Sequence, residues 1–396
     1  MSSSKISSLN IGSLNIENVL KHLEALVSFD TQNPPRKINA ESDIFNYLQQ
    51  HLQGFDFSFF DAGDGCLSLL AKRGNPSLLF NFHIDTVPVA NGWSTNPLKL
   101  VIDEKKATGL GACDIKGASA CMLSAVAKTT GDVALLFSSD EEHGSSTAIK
   151  YFLNTMPNFT DVIVAEPTQS KAVLAHRGIQ TAKVNFKGIS GHGSAKRAFN
   201  DNAIHKSGQW IAAALNWVEQ QSYSFDTLTG LPFNIGKIEG GIKANMIAAS
   251  CELAFGFRPL PGQDAKQMLN DLEQLPNDAD NKPSTNNNDT SITEGFYGPT
   301  LPSANQDFNQ AISDATALAE RYSLPLGPAV DFWTEASLFS KAGMTALVYG
   351  PGNIAQAHTA NEWVELKQLQ TVEQQYQDIL NYQESNYKPT AGQDNE

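Results

Sequence analysis

Four short apolar runs constrain the fold of this 396-residue chain more than any other feature. Three of them lie in the first half of the chain, separated by helix-like segments, and the fourth follows a long intervening block. The runs are SLLFNF (77–82), VALLFSS (133–139), DVIVAE (161–166) and TALVYG (345–350). Buried strands of a parallel sheet are apolar throughout and alternate with helices. The runs therefore predict an α/β fold with a mostly parallel sheet that is flanked by helices.

The block between the third and fourth runs has the pattern of a second, smaller domain. Its strand-like segments are TAKVNFKG, FNIGKIEGG and CELAFGFRP, and its helix-like segments are NAIHKSGQWIAAALNWVEQ and DAKQMLNDLEQL. The first of these helices repeats apolar residues at helical spacing, namely Ile204, Ile211, Leu215 and Val218. The order strand, helix, strand, strand, helix fits an α+β domain of the ferredoxin-like kind.

The length of the chain exceeds the usual size of one compact core, so two domains are expected. Because the α/β pattern resumes after the second block, that block is predicted to be an insertion. We place the inserted domain at residues 178–292 and the surrounding domain at residues 1–177 and 293–396.

The net charge of −14 narrows the range of partners. Such an acidic surface argues against nucleic acid and against an anionic membrane, and no stretch approaches the ~20 apolar residues of a membrane span. The start MSSSKISSLN lacks the pattern of a signal peptide. The four cysteines form no C-x-x-C pair, which is typical of a reducing compartment. We therefore expect a cytoplasmic protein whose partner is a small molecule.

Histidine and carboxylate side chains recur where the apolar runs end. Each alone has a simpler explanation, such as a structural histidine or a solvated turn, but parallel strands bring their carboxyl ends to one ligand crevice. So many carboxylates at one edge would repel one another unless cations neutralised them. Imidazole and carboxylate without thiolate suit Zn²⁺, Co²⁺ or Mn²⁺. The candidate residues are His83, Asp114, Glu141, Glu142, Glu166 and His358.

Two details of this set concern the roles of neighbouring residues. Asp85 follows His83 by two positions, so both point to the same side of an extended chain, and Asp85 can accept the other ring N–H of His83. Glu141 and Glu142 are successive and face different ways. One of them can bind metal while the other takes a proton from the attacking water, and the spacing leaves open which does which.

The motifs HIDTVP, GLGACDIKG, SSDEEHGS, VAEPT and AQAHTANEW resemble those of a family of dinuclear metallohydrolases. The family includes acetylornithine deacetylase, succinyl-diaminopimelate desuccinylase, carboxypeptidases such as carboxypeptidase G, and aminoacylases. The resemblance runs over nearly the whole chain. The narrower motifs FNIGKIEGGIKANMI, FGFRPLPG, WTEASLF and ALVYGPGNIAQAHT are similar to the acetylornithine (acetylcitrulline) deacetylase branch.

The resemblance implies a centre of two divalent metal ions, zinc or cobalt. Asp114 would bridge the ions, His83 and Glu166 would bind one of them, and Glu142 and His358 would bind the other.

The resemblance also assigns the residues that would act on the substrate. Glu141 would be the general base, and Asp85 would be the partner of His83. The family has an inserted dimerisation (lid) domain, which implies a homodimer in which His192 of SGHGS crosses to the partner's site and steadies the oxyanion.

Four further residues are candidates for substrate binding. Arg258 and Asn245 stand where relatives contact the substrate. Arg177 of HRGI can grip a carboxylate, although a structural salt bridge is an equal alternative. Glu335 of WTEAS can supply a negative charge for a cationic side chain. One departure from the family pattern is His143, which stands between the glutamate pair and Gly144 and is interpreted as a bystander.

Three functions are compatible with these residues. The first is removal of acetate from N-α-acetyl-L-ornithine or N-acetyl-L-citrulline in arginine biosynthesis. The second is a dipeptidase, carboxypeptidase or succinyl-diaminopimelate desuccinylase with the same metal centre, since specificity lies in the pocket. The third is a homologue without activity, against which the complete set of ligands and the base argues.

Overall fold

The computed structural model describes residues 15–35, 38–155, 157–275 and 290–386, so the start MSSSKISSLN lies outside the described residues. The chain forms two compact units. The first comprises Met1–Leu174, Asn309–Gly327 and Thr334–Glu396, and the second comprises Ala175–Phe308 and Pro328–Trp333. The range predicted for the inserted domain, 178–292, lies inside the second unit, which extends beyond it at both ends.

The first unit contains most of the helices and the larger sheet. Its helices are α1 (Glu17–Ser28), α2 (Asp43–His51), α3 (Lys116–Val126), α4 (Thr147–Asn154), α8 (Phe308–Arg321, whose first residue belongs to the second unit), α9 (Ala336–Lys341) and α10 (Leu366–Asn386). Its strands are β1 (Asp56–Asp61), β2 (Leu67–Arg73), β3 (Leu78–His83), β4 (Val101–Ile102), β5 (Lys106–Thr108), β6 (Val133–Ser138), β7 (Asp161–Val164), β16 (Thr345–Val348) and β17 (Trp363–Glu365).

The six-stranded sheet of this unit has the order β1-β2-β6-β3-β7-β16. The strands β6, β3, β7 and β16 run parallel to one another, whereas β2 pairs antiparallel with β6 and β1 pairs antiparallel with β2 at one edge. The four parallel strands coincide with the four apolar runs of the sequence, which confirms the predicted α/β class. Strand β3 lies between β6 and β7, so the chain crosses from one side of β3 to the other. In open α/β sheets a ligand crevice lies at such a reversal.

Both faces of this sheet are buried, as a parallel sheet requires. One face packs on α1, α3 and α10 in the main apolar core, to which Phe80, Phe82 and Tyr376 contribute. Every residue of α3 is buried. Its small Ala, Gly and Ser side chains permit this close packing, which explains the Ala-rich composition of KGASACMLSAV.

The second unit has a smaller sheet and its own core. Its main strands are β8 (Ile179–Lys187), β12 (Phe233–Gly240), β14 (Ser250–Phe257) and β15 (Thr290–Gly298), and its helices are α5 (Ala198–Asp201), α6 (Ala203–Glu219) and α7 (Ala265–Glu273). The short strands are β9 (Gly191–His192), β10 (Ser224–Phe225), β11 (Leu228–Thr229) and β13 (Met246–Ile247). The antiparallel order β12-β14-β8-β15, with α6 and α7 between the strands in sequence, is that of a ferredoxin-like βαββαβ unit.

The buried face of α6 differs from the predicted apolar stripe. The helix buries Ala203, Ser207, Trp210 and Ala214. Ile204 and Leu215 remain 40% and 47% exposed. Trp210 explains the rotation, because its large ring packs against Phe186 and Phe255 while its indole N–H donates to the carbonyl of Leu272 at 2.9 Å.

Two expectations about location and chemistry can be compared with the described residues. Within the described ranges, no helix combines the length and the apolar character that a membrane span requires. All four cysteines are buried free thiols.

Candidate metal centre

The carboxyl ends of three neighbouring strands deliver side chains to one place in the first unit. His83 is the last residue of β3, Glu141 and Glu142 lie in the turn after β6, and Glu166 follows β7. Asp114 lies in the glycine loop two residues before α3, and His358 lies in the segment between β16 and β17.

One group of possible ligands is fully buried. It consists of His83, Asp114 and Glu166, whose ligand atoms lie within 4.8 Å of one another. Nε2 of His83 is 3.0 Å from Oδ1 of Asp114 and 3.9 Å from Oε1 of Glu166. An imidazole and two carboxylates that point at a common position are a donor set that suits a divalent ion.

A second group shares Asp114 with the first. It consists of Asp114, Glu142 and His358, again within 4.8 Å. Nε2 of His358 is 3.0 Å from Oε1 of Glu142 and 3.4 Å from Oδ2 of Asp114. The two carboxylate oxygens of Asp114 therefore face the two histidines separately, which is the geometry of a bridging carboxylate.

Burial and mutual repulsion perturb the acids of this cluster strongly. Burial, and then proximity to Asp114, raises the pKa of Glu166 well above its ordinary value. Burial, and then the neighbouring Glu142, does the same to the pKa of Glu141. Burial alone would also raise the pKa of Asp114, but the hydrogen bonds of His358 and His83 hold it below its ordinary value. Such crowding is the state that bound cations relieve, and the donor set therefore fits metal ions.

The geometry around Asp85 differs from the predicted one. Nδ1 of His83 lies 3.1 Å from the backbone oxygen of Asp85, whereas the nearer carboxylate oxygen is 3.6 Å away and outside hydrogen-bond distance. The carboxylate accepts the backbone N–H groups of Glu141 at 3.3 Å and Glu142 at 3.0 Å. The backbone of Asp85 thus orients the imidazole, and its side chain holds the turn that carries the glutamate pair.

Sequence reasoning missed Glu362, which is 2% exposed. One carboxylate oxygen accepts the backbone N–H of Cys113 at 2.9 Å and of Asp114 at 3.0 Å, and the other accepts Gly111 at 2.8 Å. Burial raises the pKa of Glu362 to about 7. The only signal in the sequence is an acid directly before an apolar strand, in ANEWV, and it does not reveal the distant loop that the acid binds.

Two other acidic residues and one histidine near the glutamate pair have structural contacts. Asp140 accepts the backbone N–H of Ala148 at 3.2 Å and so holds the first turn of α4. Glu335 is 1% exposed and accepts the hydroxyl of Ser138 at 2.9 Å. Burial, and then proximity to Asp140, raises the pKa of Glu335 to about 8. His143 is exposed and pairs with the hydroxyl of Ser145 at 3.3 Å, which fits a bystander.

Arg177 lies in the second unit, where its guanidinium is 2% exposed. Nε donates to Asp331 at 2.6 Å, and the other nitrogens donate to the backbone oxygens of Gly230 at 2.8 Å and Thr229 at 2.9 Å. A guanidinium bound on all sides in this way has no fork left for a substrate carboxylate. The structural salt bridge, rather than the substrate contact, therefore describes Arg177 here.

The other predicted residues of the second unit are His192, Asn245 and Arg258. The structure brings the first two together, because His192 pairs with Met246 in the β9–β13 ladder and Gly193 donates its N–H to the backbone oxygen of Asn245 at 2.8 Å. Both are exposed, and Nδ1 of His192 lies 2.8 Å from the hydroxyl of Ser194. Arg258 is half-buried just after β14.

Solved structures of peptidases have the fold described here. The chain is similar to aminopeptidase PepT from Bacillus cereus, with a TM-score of 0.70 and 17% identity over 94% of this chain and 100% of that one. It is also similar to the YXEP protein of Bacillus subtilis, a dinuclear metal binding peptidase from the M20 family, with a TM-score of 0.62 and 13% identity over 92% of this chain and 98% of that one. At these identities the likeness concerns the fold alone.

The sequence comparisons identify the chain as a hydrolase that acts on amide bonds. The chain belongs to peptidase family M20/M25/M40, whose sequence pattern matches residues 79–382. It is 48% identical over 370 residues to an N-acetyl-L-citrulline deacetylase from Xanthomonas campestris pv. campestris, which covers 92% of this chain and 98% of the relative.

Proposed function

We propose that this protein is a metal-dependent amidohydrolase that removes acetate from N-acetyl-L-citrulline, and that it works in arginine biosynthesis. The observation that carries the proposal is the pair of ligand groups that share Asp114. The 48% identity to an acetylcitrulline deacetylase over nearly the full length of both chains supports the substrate. N-acetyl-L-ornithine is the alternative substrate, since both compounds present the same acetyl amide next to a carboxylate.

The proposed metal ligands follow the two groups. His83 and Glu166 would hold one divalent ion, Glu142 and His358 would hold the other, and Asp114 would contribute to both sites. Zinc or cobalt suits this imidazole and carboxylate set. When bound, two such ions polarise the amide carbonyl and lower the pKa of the attacking water.

Glu141 is proposed as the general base. Its neighbour Glu142 is turned toward His358, at 3.0 Å, so the adjacent Glu141 is the acid left for proton transfer. The high pKa that burial and Glu142 give Glu141 suits a group that takes a proton from water and returns it to the leaving amine. The hydrogen bonds from the turn to Asp85 keep both glutamates in their places.

Three residues of the second unit, His192, Asn245 and Arg258, are proposed to contact the substrate. His192 and Asn245 are neighbours, exposed and uncharged or weakly basic, which suits them to donate hydrogen bonds to the developing oxyanion. Arg258 is the proposed partner of the substrate carboxylate, since the guanidinium of Arg177 is fully engaged.

The state of Glu335 supports citrulline rather than ornithine. In the metal-free protein, burial and then Asp140 raise the pKa of Glu335 to about 8, which favours the neutral carboxyl at pH 7. A neutral acid is a poor partner for the cationic side chain of ornithine but can exchange hydrogen bonds with the neutral ureido group of citrulline. We therefore assign Glu335 to the side-chain end of the substrate as a neutral group.

The protein is further proposed to be a cytoplasmic homodimer that associates through its second unit. Strand β12 is an edge of the four-stranded sheet, and unpaired edges invite a second strand. Apolar side chains on this strand and just after it are exposed, namely Ile238 at 54% and Ile242 at 82%. Light scattering on the Ile238→Lys, Ile242→Lys double variant tests this point: a wild-type monomer, or an unchanged dimer in the variant, would contradict it.

One kinetic comparison tests the function. The kcat/KM values for acetylcitrulline, acetylornithine, succinyl-diaminopimelate and a dipeptide are measured with protein loaded with Zn²⁺ and with Co²⁺. We expect acetylcitrulline to be preferred by at least about tenfold, a difference of about 1.4 kcal/mol. Preference for acetylornithine would correct the substrate. Turnover of the dipeptide alone would replace the proposed deacetylase with a peptidase.

A further inference from the structure

The carboxylate of Glu362 connects two loops that carry ligands of the candidate centre. Its oxygens accept the N–H groups of Gly111, Cys113 and Asp114, all at 2.8–3.0 Å. Both oxygens are used, so the loop is fixed in rotation as well as in position. Glu362 itself follows His358 by four residues. A shift of this one carboxylate therefore acts on the Asp114 loop and on the His358 segment together.

The backbone of Glu362 is anchored by strand pairing. The residue directly precedes β17, which pairs with β5 through Trp363 and Thr108. The ladder continues beyond the strands, because Gly109 donates its N–H to the backbone oxygen of Glu362 at 3.0 Å. The small sheet thus fixes the main chain of Glu362, and the side chain transmits that position to the loop before α3.

The loop that Glu362 binds cannot relax easily into another shape. Gly111 has a φ of +76°, in the left-handed region that favours glycine. A Cβ at this position would come within 2.7 Å of Thr86 and 3.0 Å of Lys116. In this tight form the N–H groups of Gly111, Cys113 and Asp114 point at the carboxylate of Glu362.

The segment of His358 is held in a strained form. His358 and Asn361 have φ values of +57° and +59°, which side-chain-bearing residues rarely adopt. Such conformations persist where surrounding contacts impose them. Asn361 accepts hydrogen bonds from the backbone N–H of Ser94 at 2.9 Å and from the Ser94 hydroxyl at 2.8 Å. At the end of the segment, Glu362 accepts its three hydrogen bonds from the loop before α3.

The two ligand groups depend on this connection to different degrees. In the first group, His83 and Glu166 stand at or just after strands of the central sheet, and only Asp114 comes from the glycine loop. In the second group, both Asp114 and His358 come from the connected loops. The side chain of His358 is also 53% exposed, and the residues that contact its Nε2, Glu142 at 3.0 Å and Asp114 at 3.4 Å, belong to the same ligand group.

We propose that Glu362 is a positioning residue that couples the Asp114 and His358 loops and thereby sets the affinity of the second ligand group for its ion. The inference rests on the metal centre of the proposed function. It adds that Glu362 controls how strongly the second ligand group binds its ion relative to the first. Glu362 acts through the backbone of the loop and does not itself bind the metal.

Titration of the metal-stripped protein with Co²⁺ tests the proposal, because the visible absorption of Co²⁺ reports the geometry of its ligands. We expect two binding phases in the wild type. Glu362→Gln keeps the size of the side chain but sets an NH₂ donor against a backbone N–H. It is expected to weaken Co²⁺ binding by the second ligand group, the second phase, about 10–100-fold and to alter the spectrum of that phase. The affinity of the first ligand group, measured in the first phase, should change by less than about threefold.

Two further variants make the result specific. Glu362→Asp keeps the charge and should restore the second phase in part; it carries the test if Glu362→Gln does not fold. Glu373→Gln is the matched control, since Glu373 is also a buried glutamate, bonded to Ser124 and Lys128 between α3 and α10. It should lower thermal stability without changing either phase.

Three outcomes distinguish failure of the inference about Glu362 from failure of the proposed metal centre. Two unchanged phases in Glu362→Gln would overturn the inference while leaving the metal centre intact. Equal weakening of both phases would also overturn it, because the effect would then be general. If the wild type bound no Co²⁺, the proposed metal centre itself would be wrong.

Discussion

The carboxylate of Asp85 holds the backbone N–H of Glu142 at 3.0 Å, while the backbone oxygen of the same Asp85 lies 3.1 Å from Nδ1 of His83. One residue therefore positions groups from two neighbouring strand ends, with its main chain serving β3 and its side chain serving the turn after β6. Asp85 thus fixes the position of His83 relative to Glu141 and Glu142.

Asp85→Asn is expected to separate these two functions. The amide keeps one acceptor but opposes a backbone N–H with an NH₂ group, so the turn of Glu141 and Glu142 should shift. We expect kcat to fall about 10–100-fold. The ion at His83 should remain, because the backbone oxygen of Asp85 is unchanged. Steady-state kinetics and metal analysis check this; loss of that ion would show that the carboxylate, not the backbone, orients His83.

Glu141→Ala is expected to stop turnover and leave metal binding intact. Removal of a general base costs typically 10²–10⁴-fold in rate, and Glu141 belongs to neither ligand group. The measurement is kcat together with metal content. His143→Ala is the matched control, since His143 is exposed, lies two residues away and should leave both values unchanged. Activity retained in Glu141→Ala would remove Glu141 from the base role.

The pH dependence of the metal-stripped protein should reflect His358. Its hydrogen bonds with Asp114 and then Glu142 raise its pKa to about 10, from about 6.5 in the unfolded chain. Because the folded pKa is the higher one, protonated His358 stabilises the fold fully below pH ~6.5, and this contribution is lost as pH rises through ~10. An ion must displace the same proton, so apparent Zn²⁺ affinity should rise over that window.

Two measurements check this prediction. Thermal unfolding of the metal-stripped protein should show a falling Tm between pH ~6.5 and ~10, and calorimetry in buffers of different ionisation enthalpy should detect proton release on Zn²⁺ binding. His358→Asn removes the titrating group and should flatten the Tm profile. A Zn²⁺ affinity that falls as pH rises would contradict the assignment.

Glu335→Gln is expected to stabilise the protein at alkaline pH. Burial, and then Asp140, raises the pKa of Glu335 to about 8. Glu335 therefore ionises more easily in the unfolded chain than in the folded one. Its contribution to the stability of the wild type should decline as pH rises from ~4.5 to ~8. Glutamine cannot ionise, so the variant should gain a few kcal/mol at most at pH ~8, at about 1.4 kcal/mol per pKa unit. Urea unfolding at several pH values checks this.

The same variant tests the substrate contact of Glu335. Because glutamine resembles the neutral acid, the ratio of kcat/KM for acetylcitrulline to that for acetylornithine should change little at pH 7. A selective rise in KM for acetylornithine would mean that Glu335 acts there as an anion.

Arg177→Lys distinguishes the structural from the substrate-binding interpretation of Arg177. One ammonium cannot replace a fork that binds Asp331 and the oxygens of Thr229 and Gly230 together. We expect the free energy of unfolding to fall by about 1–3 kcal/mol, because backbone oxygens that the buried guanidinium bonds would lose their donors. Lys183→Ala, at an exposed pair with Glu252, is the control and should cost less than about 1 kcal/mol. A rise in KM with unchanged stability would favour the substrate role.

The sequence predicted those features that depend on local pattern. The apolar runs that became β3, β6, β7 and β16 are continuous, so their burial in a parallel sheet followed directly. His83 and Glu166 stand at or just beyond strand ends, and parallel strands necessarily bring such ends together. Pattern also indicated Asp114 and His358 as candidates, and the family resemblance supplied the roles predicted for them.

The features that the sequence did not predict depend on contacts between distant segments. Glu362 binds a loop some 250 residues earlier, as its bond to Gly111 shows, and no periodicity encodes that contact. The orienting role of the Asp85 backbone is hidden because every residue has a carbonyl. On α6, the stripe through Ile204 and Leu215 obeys helical spacing, but the bulk of Trp210 decided which face was buried. The spacing of apolar residues along a helix does not show which of two possible faces packs better against the core.

All candidate metal ligands belong to the first unit, whereas His192, Asn245 and Arg258 belong to the second. The two sets of residues are encoded by separate stretches of the gene, with the second unit enclosed between segments of the first. If the residues of the second unit act as proposed, substitutions there can alter the substrate contacts while the metal ligands stay the same. Such a division favours evolutionary diversification: exchange or gradual revision of the enclosed segment offers a route to new substrates from one conserved reaction.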